Sequence, residues 1–298
     1  MGNWHLMDKR SAIRHRVNLL DVWVDRVDLE DAISRIDRFI QEGSAHQIVT
    51  VNVDFLRLSN NDNAFRDLIN TSDLAVADGM PLVWGSRLLG DPLPERVTGV
   101  ELIVQSARLA AERGYSIFLL GAAPGVAEET AVVLRSRFPG LRIVGTYSPP
   151  MGTFTPDENE KMVRMIQEMQ PDMLFVAFGA PRQDRWIREH LHRLDVPVCM
   201  GVGGSFDFLA GRVKRAPRWM QYRGLEWLYR VLQEPRRLWR RYFIEDLPVF
   251  LRLLAQRGTS SALTSVQSAQ LDMKKTASQS MDGGQLTSPV EQPGARLV

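Results

Sequence analysis

Asp78 stands in "LAVADGMPLVW", Leu74 to Trp84, as the one carboxylate in an otherwise apolar run. Asp-Gly is a common surface turn, yet both flanks here are residues that favour burial. Burial disfavours the charged form of a carboxylate, so a charge set in such a collar calls for a reason. Taken alone, the same residue would serve equally well as a turn or a helix cap. Small and polar residues recur after comparable apolar runs: Thr50 and Asn52 in "HQIVTVN", Gly121 and Ala122 in "GAAPG", Gly179 and Gln183 in "GAPRQDRW", and Gly203 and Asp207 in "GVGGSFDF". Most of these stretches join glycine, which lets a backbone approach a ligand, to one or two polar side chains.

Other chemistries find less support. His5, His15, His46, His190 and His192 form no cluster, and His190 and His192, two apart on a helix, point different ways. No Asp-x-Asp is present to hold a divalent ion against a diphosphate, so no metal or other cofactor is expected. A G-x-S-x-G elbow is lacking, and "GVGGSFDF" fits neither the dinucleotide fingerprint nor the Walker pattern. The lone cysteine, Cys199, excludes an internal disulfide, suggests a reducing compartment and reads as a small buried hydrophobe.

These residues need elements to position them. "HQIVTVN", "DLAVAD", "YSIFLLG", "LRIVGTYS", "DMLFVAFG" and "VPVCMGVGG" are short apolar runs that read as buried strands. Helical stretches fall between them, among them Gly99–Gly114, Gly125–Gly140, "TPDENEKMVRMIQEMQP" with Thr155 as its cap, and "QDRWIREHLHRL". Such alternation predicts an α/β fold: a Rossmann-like, mostly parallel sheet with helices on both faces. "VNLLDVWVDRVDLEDAISRIDRFIQEG" predicts one further strand and a helix added at an edge. In sheets of this kind ligands bind beyond the carboxyl ends of the strands, where every stretch named above falls. A shared cleft containing Asp78 follows.

Beyond residue 215 the character changes. Arg212 to Arg257 holds twelve Lys or Arg against four Asp or Glu, a balance of +8 that leaves −6 on the rest of a chain whose net charge is +2. A basic segment on an acidic body implies an anionic partner. Its arginines lie among tryptophans and leucines, which suits a membrane surface better than nucleic acid. Met1–Leu20 lacks the apolar core of a secretory signal, and no run of about 18 apolar residues occurs, so a cytoplasmic, peripheral location is expected. The remaining Gly258–Val298 is polar, Ser/Gln/Thr-biased and too poor in apolar groups to fold alone. Three regions are therefore expected: an α/β catalytic domain over 1–215, a basic amphipathic helical appendage over 216–257, and a disordered tail over 258–298.

Together "TVNVDF", "VADGMPLVW", "RVTGVEL", "FLLGAAPGV", "FVAFGAPRQDRW", "GVGGSFDFLAGRVKRAPRWM" and "GLEWLYRVLQEPRRLWRRY" resemble, in order from about Val17 to Leu254, the WecG/TagA/CpsF glycosyltransferases. The resemblance implies metal-free, inverting transfer from a UDP-sugar to a polyprenyl-diphosphate-linked glycan at the cytoplasmic membrane face. It assigns Asp78 as base, Thr50 and Asn52 to the donor sugar or its phosphates, Arg96 to a phosphate, and Gln183 to the sugar. It sets Gly121, Ala122, Gly179, Gly203 and Asp207 near the UDP. Arg230, Arg237 and Arg240 would swing over the site, with Trp227 and Trp239 in the interfacial layer. The appendage could instead be a dimerisation arm of a homo-oligomer, and the whole a non-catalytic UDP-sugar or lipid-binding module. A soluble NAD oxidoreductase would require a G-x-G-x-x-G at the first strand, which "TVNVDF" is not.

Overall fold

The computed structural model describes residues 15–150, 152–217, 219–220, 225–233 and 247–255. Within them six strands form one fully parallel sheet: β3 (His46–Val51), β4 (Leu74–Ala77), β5 (Ser116–Gly121), β6 (Arg142–Tyr147), β7 (Met173–Ala177) and β8 (Val198–Gly201), in the order β4-β3-β8-β7-β5-β6. The expected fold class holds. Both faces of the sheet are covered, which is why its strands read as unbroken apolar runs. In β7, Met173, Phe175 and Ala177 enter one core cluster, while Leu174 and Val176 enter another on the opposite face. In β3, Ile48 packs into the first of these, and Val49 and Val51 turn to a third.

Helices α1 (Leu29–Glu42), α5 (Gly99–Arg113) and α6 (Val126–Arg137) supply the first face, and α7 (Pro156–Met169) and α8 (Arg182–Leu194) the second. Side chains set where several of these begin. Asp28 with Asp31, Thr98 with Glu101, and Thr155 with Glu158 each form a reciprocal capping box that satisfies two otherwise orphaned backbone donors.

Three local features differ from expectation. The stretch after β3 forms not one helix but two, α2 (Val53–Asn61) and α3 (Asn63–Asn70), because Asp62 adopts an extended backbone and caps the second. A further helix, α4 (Met80–Leu89), follows Asp78 directly, opened by a proline in its first turn. Near the start, the predicted single edge strand is an antiparallel hairpin of β1 (Arg16–Leu19) and β2 (Val22–Asp25) forming its own two-stranded sheet. It contacts β4 through Asp25, which is buried, accepts from the Ala75 amide at 2.9 Å and pairs with Arg35 at 3.2 Å. That carboxylate satisfies an edge amide, where a further strand would otherwise have paired.

Two helices are described beyond the sheet, α10 (Glu226–Gln233) and α11 (Leu247–Ala255). Val249 and Leu253 of α11 pack into the cluster that holds Val49, Val51 and Leu82. No helix among the described residues is long and apolar enough to cross a membrane.

Candidate active site

A cleft of about 390 Å³ opens over the carboxyl ends of β4, β3, β8 and β7. Thr50 and Asn52 come to it from β3, Asp78 from β4, Gly179 and Gln183 from the turn after β7, and Gly203 from the turn after β8, while Arg96 reaches it from the segment preceding α5. Seven residues scattered over 154 positions of sequence therefore share one wall, because parallel strands deliver all their outgoing loops to the same edge.

The first turns of four helices line the same cleft: Val53–Phe55 of α2, Met80 and Pro81 of α4, Gly99 and Val100 of α5, and Gln183 of α8. Helix N-termini carry partial positive charge and unsatisfied N–H groups, so their convergence favours an anion.

Each side chain is held in a way that limits what it can offer. The Thr50 hydroxyl is buried and donates to the Gly201 carbonyl at 3.1 Å, so toward a ligand it presents lone pairs. The Asn52 amide oxygen caps α2 by accepting from Phe55 N at 3.3 Å, which leaves its NH2 as the donor toward the cleft. Gln183 is 1% exposed, and its oxygen accepts from the backbone of both Gly179 (3.1 Å) and Gly203 (2.9 Å), tying two cleft loops together. Asp78 is partly buried, and its backbone N–H donates to the Val51 carbonyl at 2.6 Å, fixing β4's exit against β3.

Arg96 does not stand alone. Its guanidinium bonds Glu226 at 2.8 Å and Glu101 at 3.2 Å. Arg215 bonds the same two carboxylates, at 3.1 and 3.4 Å. Sequence reasoning missed Arg215, Glu226 and Glu101; only the "VTGVE" capping pattern hinted that Glu101 would be fixed here.

Gly121, Ala122 and Asp207 do not line the cleft. Gly121 ends β5 and Ala122 follows it, and β5 is a strand further along the sheet than the four beneath the cleft. There Gly121 serves packing: a Cβ would come within 2.8 Å of the Ala177 backbone, and its φ of 106° is one that side-chain-bearing residues rarely adopt. Asp207 lies on the short helix α9 (Ser205–Leu209), whose Ser205 and N-cap Gly204 reach the cleft instead. Arg237, Arg240 and Trp239 fall outside the described residues, as do the side chains of Arg230 and Trp227. Among the described residues no three His, Cys or carboxylate side chains gather as a metal site would need. Cys199 is buried and free, and burial pushes its thiol pKa up, as a small core residue rather than a nucleophile requires.

Fold and site together define an α/β cleft enzyme whose pocket holds the Asp78 carboxylate and two arginines paired with Glu226 and Glu101. The chain belongs to the glycosyl transferase WecG/TagA/CpsF family, whose description it matches over residues 17–262. It is 31% identical over 243 residues to the N-acetylglucosaminyldiphosphoundecaprenol N-acetyl-beta-D-mannosaminyltransferases of Staphylococcus aureus strains MW2 and MRSA252. Those alignments cover 81% of this chain and 92% of each relative. The protein is a glycosyltransferase.

Proposed function

We propose that the protein transfers an N-acetylmannosamine-type hexose from a UDP donor to a polyprenyl-diphosphate-linked N-acetylglucosamine, with inversion, at the cytoplasmic face of the membrane. The relatives' names supply the sugar and acceptor class. The observation that carries the reading is the gathering of Asp78, Thr50, Asn52, Arg96 and Gln183 in one cleft walled by helix N-termini. In that setting Asp78 takes the proton of the acceptor hydroxyl as its oxygen attacks the anomeric carbon. The bond to UDP breaks with its electron pair leaving on the diphosphate. Arginine forks and helix amides neutralise the charge that develops there, a role that elsewhere falls to a divalent ion. Transfer is therefore proposed to need no metal and to survive EDTA. The NH2 group of Asn52 is the side-chain donor available to orient the sugar, and Gln183 acts by holding the Gly179 and Gly203 loops around it.

The test offers a panel of UDP-sugars with a short-chain polyprenyl-diphosphate N-acetylglucosamine and identifies the product by mass. The reading expects one added N-acetylhexosamine and released UDP, with the N-acetylmannosamine donor preferred. Transfer confined to donors carrying another nucleotide, or to acceptors without a diphosphate, contradicts it.

A further inference from the structure

Four charged side chains close a ring at the cleft's rim. Glu226 bridges the two arginines, its Oε2 to Arg96 Nη1 and its Oε1 to Arg215 Nε, and Glu101 Oε1 bridges the same pair from the other side. The two carboxylates are restrained very differently. Glu101 is anchored by its other oxygen, which accepts from the Thr98 hydroxyl at 2.7 Å and the Thr98 amide at 3.2 Å within the capping box of α5. The Glu226 carboxylate, on the first residue of α10, bonds only the two arginines among the described residues.

We propose that Arg215 is a second diphosphate-binding arginine beside Arg96, and that Glu226 occupies the phosphate position between them until a diphosphate displaces it. This rests on the diphosphate substrates proposed above. A carboxylate spanning two guanidinium groups presents the same two-oxygen face as a phosphate. The side chains concerned are 12%, 24% and 18% exposed for Arg96, Arg215 and Glu226. Two more anionic oxygens cannot simply be added there; they must replace those present. Glu101, tied down by Thr98, stays and keeps both arginines pointed at the cleft. Glu226 is the exchangeable partner, and because it begins α10, its release couples ligand binding to the position of that helix. Both donor and acceptor carry a diphosphate, and the geometry fits either.

Calorimetry with UDP and, separately, farnesyl diphosphate distinguishes the sources. Arg215→Ala and the charge-conserving Arg215→Lys should each weaken whichever ligand the pair holds, the alanine variant by about ten-fold or more, as expected for hydrogen bonds to a charged group. Glu226→Gln should tighten the same ligand by about five-fold, since the competing carboxylate is gone. Backbone hydrogen exchange across residues 226–233 should change when that ligand saturates the wild type and not respond in Glu226→Gln. Unaltered affinity for both ligands in Arg215→Ala overturns the proposal. So does a Glu226→Gln variant that binds more weakly, or whose α10 responds as the wild type does; Glu226 would then be a brace. A wild type that binds farnesyl diphosphate but not UDP, with the same dependence on Arg215, leaves this inference standing and removes the proposed donor.

Discussion

At Gln183 and Asp184 two adjacent polar side chains are taken out of water, and only one completes hydrogen bonds. Gln183 ties the loops after β7 and β8 together, whereas neither Asp184 carboxylate oxygen has a partner among the described residues. Burial pushes the Asp184 pKa up to about 7, against a smaller opposing pull from its own backbone and the nearby Gln183 amide. An acid whose folded pKa is raised costs stability when it must ionise. Its contribution therefore falls as pH rises from near 3.8, where the unfolded group loses its proton, to about 7, and is flat above. Asp184→Asn should abolish that slope, so denaturation profiles of the two proteins should diverge between pH 3.8 and about 7; parallel profiles would show that the group is ionised throughout. Only glycine fits against the pair in β8: a Cβ on Gly201 would fall within 2.6 Å of both Asp184 Oδ1 and Gln183 Nε2. At this scale the sequence was readable where a polar residue closes an apolar strand, as at Thr50 and Asp78. It was silent on Arg215 and Glu226, because Arg96 meets Glu226 across 130 positions and no local pattern announces such a pair.

Among elements, the parallel strands were legible because burial on both faces leaves them almost no polar residues. The hairpin was not, since its turn uses Leu20 and Asp21, both at positive φ, in place of the glycine or asparagine that marks such turns. Nor was the docking of α11. Gly85 of α4 makes room for it: a Cβ there would lie 2.2 Å from Leu253 Cδ2. Gly85→Ala should therefore overpack this contact at a cost of about 1–3 kcal/mol, lowering the melting temperature and opening α11 to limited proteolysis. Adding Leu253→Ala should restore protease resistance by returning the space. A double variant as sensitive as Gly85→Ala would mean that the alanine acts elsewhere.

For the whole molecule, the charge asymmetry supports reversible adsorption to an anionic bilayer through residues 216–257. Each Lys or Arg near such a surface contributes about 1 kcal/mol, and salt screens the attraction. Co-sedimentation with phosphatidylglycerol-containing vesicles should fall steeply as salt rises, and salt-insensitive binding would point to a hydrophobic anchor instead. Removing Gly258–Val298, whose composition cannot support a core, should leave both folding and transfer intact; loss of either would give the tail a role. The central claim, that the cleft performs inverting transfer with Asp78 as base, is tested most directly by the turnover of Asp78→Asn at saturating donor and acceptor, read beside its affinity for UDP. The account predicts turnover lower by about 10²–10⁴-fold with UDP affinity near that of the wild type. An Asp78→Asn enzyme that turns over at the wild-type rate would contradict it.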